Sequence, residues 1–434
     1  RRIHRENPTA RILVTGCYAQ RRPEELAALP GVEWVVGNSH KAGIGELLEQ
    51  QGDSSSSAGN WVPLERLLSP AQPLDSDLRR LGSVAYAEEA TSLPPPRVLV
   101  GDISTQRRLA AAPFFGGAIE DRTRPNLKIQ DGCNNRCSFC IIPSVRGLSR
   151  SLAAPEVVRQ IRALADAGYR EVVLSGVNLG QYGRDCADQI GFARLIRSVL
   201  EDTPVERLRL SSVEPMDWTE PLLDLMASTP RIARHVHAPL QSGSDRILRL
   251  MHRKYRASQY AERIRAACER MPDAAFGADV IVGFPGESDE DFEQTRRLID
   301  SLPFTYLHVF PFSRRPGTPA DRMKNQVHGS VVRERGRVLR ELAAEKNRRF
   351  RERHLGLNLI VLTLGQTAAD GTMGLSDNYL RVRISGDPLP PNQWVKVRIE
   401  SAHEGYLEGA RAAENGLAYA PPAPSPSMMT CASA

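Results

Sequence analysis

From Asn126 onward, short apolar runs alternate with amphipathic stretches, six times over. The candidate strands are residues 127–130, 171–175, 207–211, 235–240, 279–282 and 306–310. Between them lie helical stretches such as 155–167, which opens on proline and is followed by Gly168, and 289–301, with acids in its first turns. Strands separated by helices are joined by crossovers, so they pair parallel and bury both faces. Six such repeats predict an α/β fold whose parallel sheet curves into a barrel. In such folds the chemistry sits at the C-terminal ends of the strands.

The flanks read differently. Residues 12–15 form an apolar run ending at Gly16-Cys17, a helix follows with Pro23 at its start, residues 32–36 are a second strand and 43–50 a second helix. Residues 1–50 therefore read as the tail of a small α/β unit. Residues 51–125, with Ser54 to Ser57 and Pro94 to Pro96, read as a linker or insertion in which 64–81 forms one helix. The barrel spans 126–355 and closes with a long basic helical stretch at 328–354. After Gly356 the period changes to two: Leu380, Val382 and Ile384 alternate with Arg381 and Arg383, and Val395, Val397 and Ile399 alternate with Lys396, Arg398 and Glu400. This pattern predicts a small antiparallel β-barrel over 356–413 with a largely basic outer face, followed by a disordered tail at 414–434.

The first barrel strand runs directly into Gly132-Cys133-Asn134-Asn135-Arg136-Cys137-Ser138-Phe139-Cys140. A loop with C-x3-C-x2-C spacing can bring three thiolates to one face of a four-iron cluster. Such a cluster takes one thiolate per iron, so three leave one iron open to a small ligand. The alternative is a structural zinc site, which uses four ligands, and no fourth Cys or His lies within the loop. The chain has seven cysteines in 434 residues, an odd number that does not suggest a secreted disulfide framework. No apolar run approaches the roughly 18 residues that span a bilayer. The expected setting is cytoplasmic, with no membrane partner.

The cysteine loop, its place after the first strand and the six repeats resemble the radical S-adenosylmethionine superfamily. The resemblance implies a 4Fe–4S cluster on Cys133, Cys137 and Cys140 whose open iron binds S-adenosylmethionine, and Phe139 matches the aromatic position before the last cysteine. One electron then cleaves the cofactor to methionine and a 5′-deoxyadenosyl radical. Further motifs end the later strands: Ser175-Gly176-Val177-Asn178, Ser211-Ser212-Val213-Glu214-Pro215, Pro239-Leu240-Gln241-Ser242-Gly243-Ser244, Asp279 to Glu287, and Phe310 to Thr318. Together and in this order they resemble the methylthiotransferases, which carry an N-terminal domain with a second cluster, a radical barrel and a C-terminal RNA-binding β-barrel called TRAM. Cys17 in Thr15-Gly16-Cys17-Tyr18 resembles the third ligand of the second cluster, or else is a buried, inert thiol. The family has two cysteines further upstream and this sequence has none before Cys17, so the expectation is an N-terminal truncation.

The resemblance also implies site residues. Gly176 and Asn178 fall where the methionine part of the cofactor is contacted. Glu214 is placed for a cofactor hydroxyl or amine, or for a surface salt bridge. Ser242 contacts the same ligand or caps the helix beginning near Asp245. The turn from Gly283 lets backbone approach the adenine or ribose. Asp279 contacts the cofactor or is structural. Methylthiotransferases modify tRNA adenosines beside the anticodon or one ribosomal-protein aspartate. Residues 128–135, 252–255 and 308–313 look most like the threonylcarbamoyladenosine enzymes. The formal charge of +6, from 57 Lys and Arg against 51 Asp and Glu, permits an RNA partner without demanding one. Arg381, Arg383, Lys396 and Arg398 would meet phosphate there, or form a solvated sheet face. An electron donor such as flavodoxin or ferredoxin is the other expected partner. A different class of reading is a non-catalytic RNA-binding protein with a structural metal.

Overall fold

The computed structural model describes residues 2–7, 10–49, 96–107, 109, 123–368 and 371–412. The helix expected at 64–81 and the tail at 414–434 lie outside them. Two compact units emerge: Arg1–Gly117 with Ile142–Leu148, and Ala118–Ile141 with Ser149–Ala434.

The first unit is a three-stranded parallel sheet of β1 (Ile12–Thr15), β2 (Val32–Val36) and β3 (Arg97–Leu99), in that order. Its core is built on Trp34, Val35 and Val36, which are buried. β3 falls in the stretch expected to be linker. It is too short, at three residues, to leave a period in the sequence.

The second unit opens with β4 (Asn126–Lys128) and the two-residue pair β5 (Gln130–Asp131) and β6 (Arg150–Ser151). β7 (Glu171–Ser175) and β8 (Arg207–Leu210) complete one parallel sheet, ordered β4-β7-β8. β9 (His235–His237), β10 (Ala275–Val282) and β11 (Tyr306–Pro311) form another, ordered β11-β10-β9. Leu208 N–H donates to Arg231 O and Ala233 N–H to Leu208 O, joining the two sheets just before β9. The six strands thus follow one another in chain order, as the repeats require. No pairing between β11 and β4 occurs among the described residues. The barrel is partial, with an open side between its first and last strands.

Helices cover the outside. Ala154–Asp166 buries Val157, Ile161 and Leu164, and Phe192–Asp202 buries Leu195, Ile196 and Val199, in the spacing of one helical face. Asp289–Ser301 is capped by Ser288, whose hydroxyl accepts from Asp291 N–H while the Asp291 carboxylate accepts from Ser288 N–H. Gly329–Glu352 packs beside β11, where Asn347 Nδ2 donates to Thr305 O at 2.7 Å.

The last five strands are β12 (Asn358–Ala368), β13 (Gly371–Ser376), β14 (Arg381–Ser385), β15 (Trp394–His403) and β16 (Tyr406–Arg411). They close into a barrel in the order β12-β13-β14-β16-β15. The expected alternation holds, with Leu380, Val382, Ile384, Val395, Val397 and Ile399 buried in its core. One pairing differs from the expected antiparallel set: β14 and β16 run parallel, because the chain crosses over through β15 before closing. This barrel sits on the N-terminal ends of the larger barrel's strands. Arg207 and Arg209 there hold the buried Glu171 at 2.5 and 2.8 Å and donate to the carbonyls of Leu375, Ser376 and Asp377.

Candidate functional site

The cysteine loop leaves β5 at the C-terminal end of the larger barrel and is pinned along its length. The buried Gln130 amide donates to Gly132 O at 2.8 Å and Ser149 Oγ at 2.9 Å, and accepts from Asn178 N–H at 2.8 Å. It therefore ties the cysteine loop to the loop after β7. Asn134 N–H donates to Gln181 Oε1 at 3.2 Å, and Ser149 N–H to Asn134 Oδ1 at 2.9 Å. Ser138 N–H donates to Met251 O at 3.1 Å, and its carbonyl accepts from Ala320 N–H at 2.9 Å. A loop fixed at this many points holds its thiols with little ordering left to do.

Cys133, Cys137 and Cys140 are half-buried and free of disulfides. Cys133 Sγ accepts from Asn135 N–H at 3.4 Å and lies 3.9 Å from Asn178 Nδ2. Burial pushes the Cys133 thiol up, while those two donors pull the other way. Cys137 Sγ accepts from Arg253 Nη1 at 3.3 Å. The other terminal nitrogen of Arg253 bonds the Glu214 carboxylate. Of the two expected roles of Glu214, a salt bridge is present, partly buried and made with Arg253 beside the cysteine loop. Burial raises its carboxyl above the ordinary range, against the pull of Arg253.

Asn178 is 3% exposed, and its Oδ1 has no hydrogen-bond partner among the described residues. A buried carbonyl oxygen without a donor is costly, and here it lies beside Cys133. Gly176 sits in the same loop, where a Cβ would come within 2.7 Å of Leu179 and 3.0 Å of Gln130 Oε1. Three cysteines outside any disulfide and a buried amide oxygen without a donor among the described residues fit a cluster with an amine-bearing ligand. A single zinc fits less well. Tetrahedral bonds of about 2.3 Å would draw the sulfurs close together. Among the described residues, the ligand atoms found within 4.8 Å of one another are those of His237, Asp279 and His308, not the cysteines.

Asp279 on β10 accepts from His237 Nε2 at 3.1 Å and His308 Nδ1 at 3.0 Å. Burial would raise its carboxyl, but these hydrogen bonds hold it well below the ordinary range. The Tyr306 hydroxyl lies 2.8 Å from His237 Nδ1 and 2.7 Å from His235 Nε2, extending the network through the barrel interior. Burial keeps His235 neutral, whereas the bond to Asp279 raises His308.

The remaining expected residues fall in several places. Phe139 packs on the apolar cluster of Ile247, Met251, Phe284 and Ala320 beneath the loop. Ser242 is fully buried; its hydroxyl lies 3.2 Å from Thr295 Oγ1 and accepts from Ser244 N–H at 3.2 Å. The helix Asp245–Leu250 is capped by Ser244, which corrects the capping alternative for Ser242. Gly283 has φ +74°, and a Cβ there would come within 2.3 Å of Val332, so close helix packing also requires this glycine. Its N–H donates to Glu287 Oε2 at 2.7 Å, and Glu287 pairs with Arg335.

On the small barrel, Arg383 pairs with Glu408 at 2.8 Å, so its charge is largely answered within the fold. Arg381 and Arg398 are exposed and Lys396 is half-buried. In the first unit, Cys17 begins the helix Cys17–Arg21, and its sulfur accepts from Asn38 Nδ2 at 3.5 Å. Arg253, Gln130, His237 and His308 carry no separate role in the sequence reading. A signal for His237 was available: in a strand, residues 235 and 237 share a face. Nothing local marks Arg253 as the partner of a carboxylate 39 positions away.

Residues 127–299 match the Radical SAM superfamily. The threonylcarbamoyladenosine tRNA methylthiotransferase MtaB of Bacillus subtilis is 36% identical over 416 residues, covering 94% of this chain and 82% of that protein. Its counterpart from Aquifex aeolicus is 35% identical over 385 residues, covering 88% and 82%. A tRNA-2-methylthio-N(6)-dimethylallyladenosine synthase of Syntrophobacter fumaroxidans is 34% identical over 419 residues, covering 96% and 83%. No described helix is long and apolar enough to cross a membrane. With this similarity over most of its length, and three cysteines at the mouth of a parallel partial barrel, the chain belongs to the MtaB-like radical S-adenosylmethionine methylthiotransferases, a family of enzymes that use a 4Fe–4S cluster.

Proposed function

We propose that this enzyme adds a methylthio group to C2 of N6-threonylcarbamoyladenosine beside the tRNA anticodon. The observation that carries the reading is similarity to enzymes named for that substrate along nearly the whole chain, through the small barrel as well as the larger one. Cys133, Cys137 and Cys140 would hold the cluster and leave it open to S-adenosylmethionine. The bound pair supplies one-electron radical chemistry, which no side chain provides.

The protein positions and shields. Asn178 Oδ1 would accept from the cofactor's amine, and the backbone at Gly176, packed on Leu179 and Gln130, would border its methionine part. Arg253 sets a fixed positive charge beside Cys137 and keeps the Glu214 carboxylate aimed at the cofactor's polar edge. Phe139 seals the floor of the loop. Asp279, held ionised by two histidines, would meet the cofactor's ribose or the substrate, and the Gly283 turn would border the adenine. Ser242 acts indirectly, through the backbone of its loop. Cys17 contributes to a second cluster in the first unit. The small barrel is a TRAM domain that meets RNA phosphate through Arg381, Lys396 and Arg398, with Arg383 secondary because of Glu408. A flavodoxin- or ferredoxin-like donor supplies the electron, and the work is done in the cytoplasm.

Anaerobic reconstitution with iron and sulfide, followed by reduction, tests the site. The wild type is expected to release 5′-deoxyadenosine from S-adenosylmethionine and Cys133→Ala to release none. Equal yields would contradict the assignment.

A further inference from the structure

A cavity of about 850 Å³ opens between the larger barrel's free edges and the small barrel. Residues of β4 and β11 line it on one side and the β13–β14 hairpin on the other. Arg124, Arg351, Arg381 and His308 reach it, and among the described residues no Asp or Glu lines it. Two of these cations are answered from behind: Arg124 lies 3.4 Å from Glu171, and His308 is bonded to Asp279.

Arg351 is different. It is 7% exposed, and its hydrogen-bond partner among the described residues is a neutral one, Asn347 Oδ1. The Asn347 amide is fixed in that orientation because its Nδ2 donates to Thr305 O. The Arg351 Nε has no hydrogen-bond partner among the described residues. Glu352 and Glu404 act on it only at a distance, and Glu352 pairs instead with Arg348. A buried guanidinium without a carboxylate is costly unless an anion completes it.

The cavity also presents aromatic faces. Tyr379 stacks on His235 with ring centroids 4.5 Å apart and lies 5.9 Å from Tyr306. It sits at φ +66°, a backbone state that costs a bulky side chain, at the tip of the hairpin. Tyrosine faces beside arginines are what a splayed nucleotide is held by. The volume is within the range of small-ligand pockets.

We infer that this cavity is an anion subsite in which Arg351 takes a pair of oxygens from the RNA substrate. A guanidinium binds a carboxylate or a phosphate with the same two-pronged geometry. The source is a backbone phosphate or the carboxylate of the threonylcarbamoyl group. The inference rests on the tRNA reading above for the ligand's origin, not for the site's existence.

Two measurements separate these. The first uses inorganic phosphate against chloride at matched ionic strength. Phosphate at about ten times its Kd should raise the melting temperature of the wild type by about 2–4 °C, and that of Arg351→Gln by none. Equal shifts overturn the site whatever the RNA does. The second uses two anticodon stem-loops differing only in unmodified or threonylcarbamoylated adenosine, bound to the reconstituted enzyme. A roughly tenfold loss in R351Q for both RNAs, with the salt slope reduced by about one, assigns a phosphate. A loss confined to the modified RNA assigns the carboxylate. No loss in R351Q for RNAs that the wild type binds overturns the inference and leaves the tRNA reading intact. A wild type that binds neither RNA overturns the tRNA reading, and the phosphate arm still decides the cavity. If R351Q does not fold, Arg351→Lys keeps the charge without the fork and carries the same comparisons with smaller losses.

Discussion

The Nη1 of Arg253 lies 3.3 Å from the Sγ of Cys137. The same guanidinium, 4% exposed at its side chain, bonds Glu214. One residue thus supports a sulfur that must be anionic to hold iron and a carboxylate that burial would otherwise neutralise. Arg253→Gln is expected to lose about 1.5–3 kcal/mol of stability, because it leaves the partly buried Glu214 unpaired. Iron retained per chain after reconstitution should fall with it, and Arg253→Lys should recover part of both. Iron content and unfolding of R253Q matching the wild type would contradict this role.

Asn178 makes a separate test, because its free oxygen belongs to ligand binding rather than folding. Asn178→Ala should weaken S-adenosylmethionine binding by about 1–2 kcal/mol, roughly 5- to 30-fold in Kd. Equilibrium dialysis on the reconstituted protein measures it. The melting temperature without the cofactor should hardly move, since no partner of Oδ1 is lost.

Glu171 predicts how the fold responds to acid. Burial would raise its carboxyl, but Arg207 and Arg209 outweigh that and hold it below the ordinary 4.5. With the folded pKa depressed, the unfolded chain binds more protons between the two values. The contribution is therefore complete above about pH 4.5 and is lost as the pH falls below it. Asp279 and Asp291 are lowered as well and act in the same window. The melting temperature of the metal-free protein should drop steeply on acidification. Glu171→Gln should cost about 3–5 kcal/mol at neutral pH, because two buried arginines lose their carboxylate, and should flatten that drop.

The buried His235 and the exposed His308 should be displaced in opposite directions from the ordinary histidine value. Selectively labelled histidine followed by NMR should place His308 above the ordinary 6.5 and His235 below it. Asp279→Asn removes the negative charge beside the imidazole and should bring His308 down. A His308 that titrates unchanged in that variant would contradict the pairing.

Much of this was legible in the sequence because the governing signals are local. Period-two runs, helix starts at Pro and Asp, and the spacing of Cys133, Cys137 and Cys140 all lie within a few residues. The helix Asp289–Ser301 was readable to its ends because Ser288 and Asp291 cap it reciprocally. The partners of Cys137 and Glu214 were not legible, because Arg253 meets them only after β9 and the turn beyond it have folded. β3 was missed because three residues carry no period. The parallel closure of β14 on β16 depends on a crossover, which alternation alone does not encode.

The central claim concerns the reaction, and the nucleosides of cellular tRNA report it most directly. In a strain lacking the gene for this chain, mass spectrometry should find 2-methylthio-N6-threonylcarbamoyladenosine absent and its unthiolated precursor accumulated. An unchanged level of that nucleoside, with a different methylthio product missing, would contradict the account.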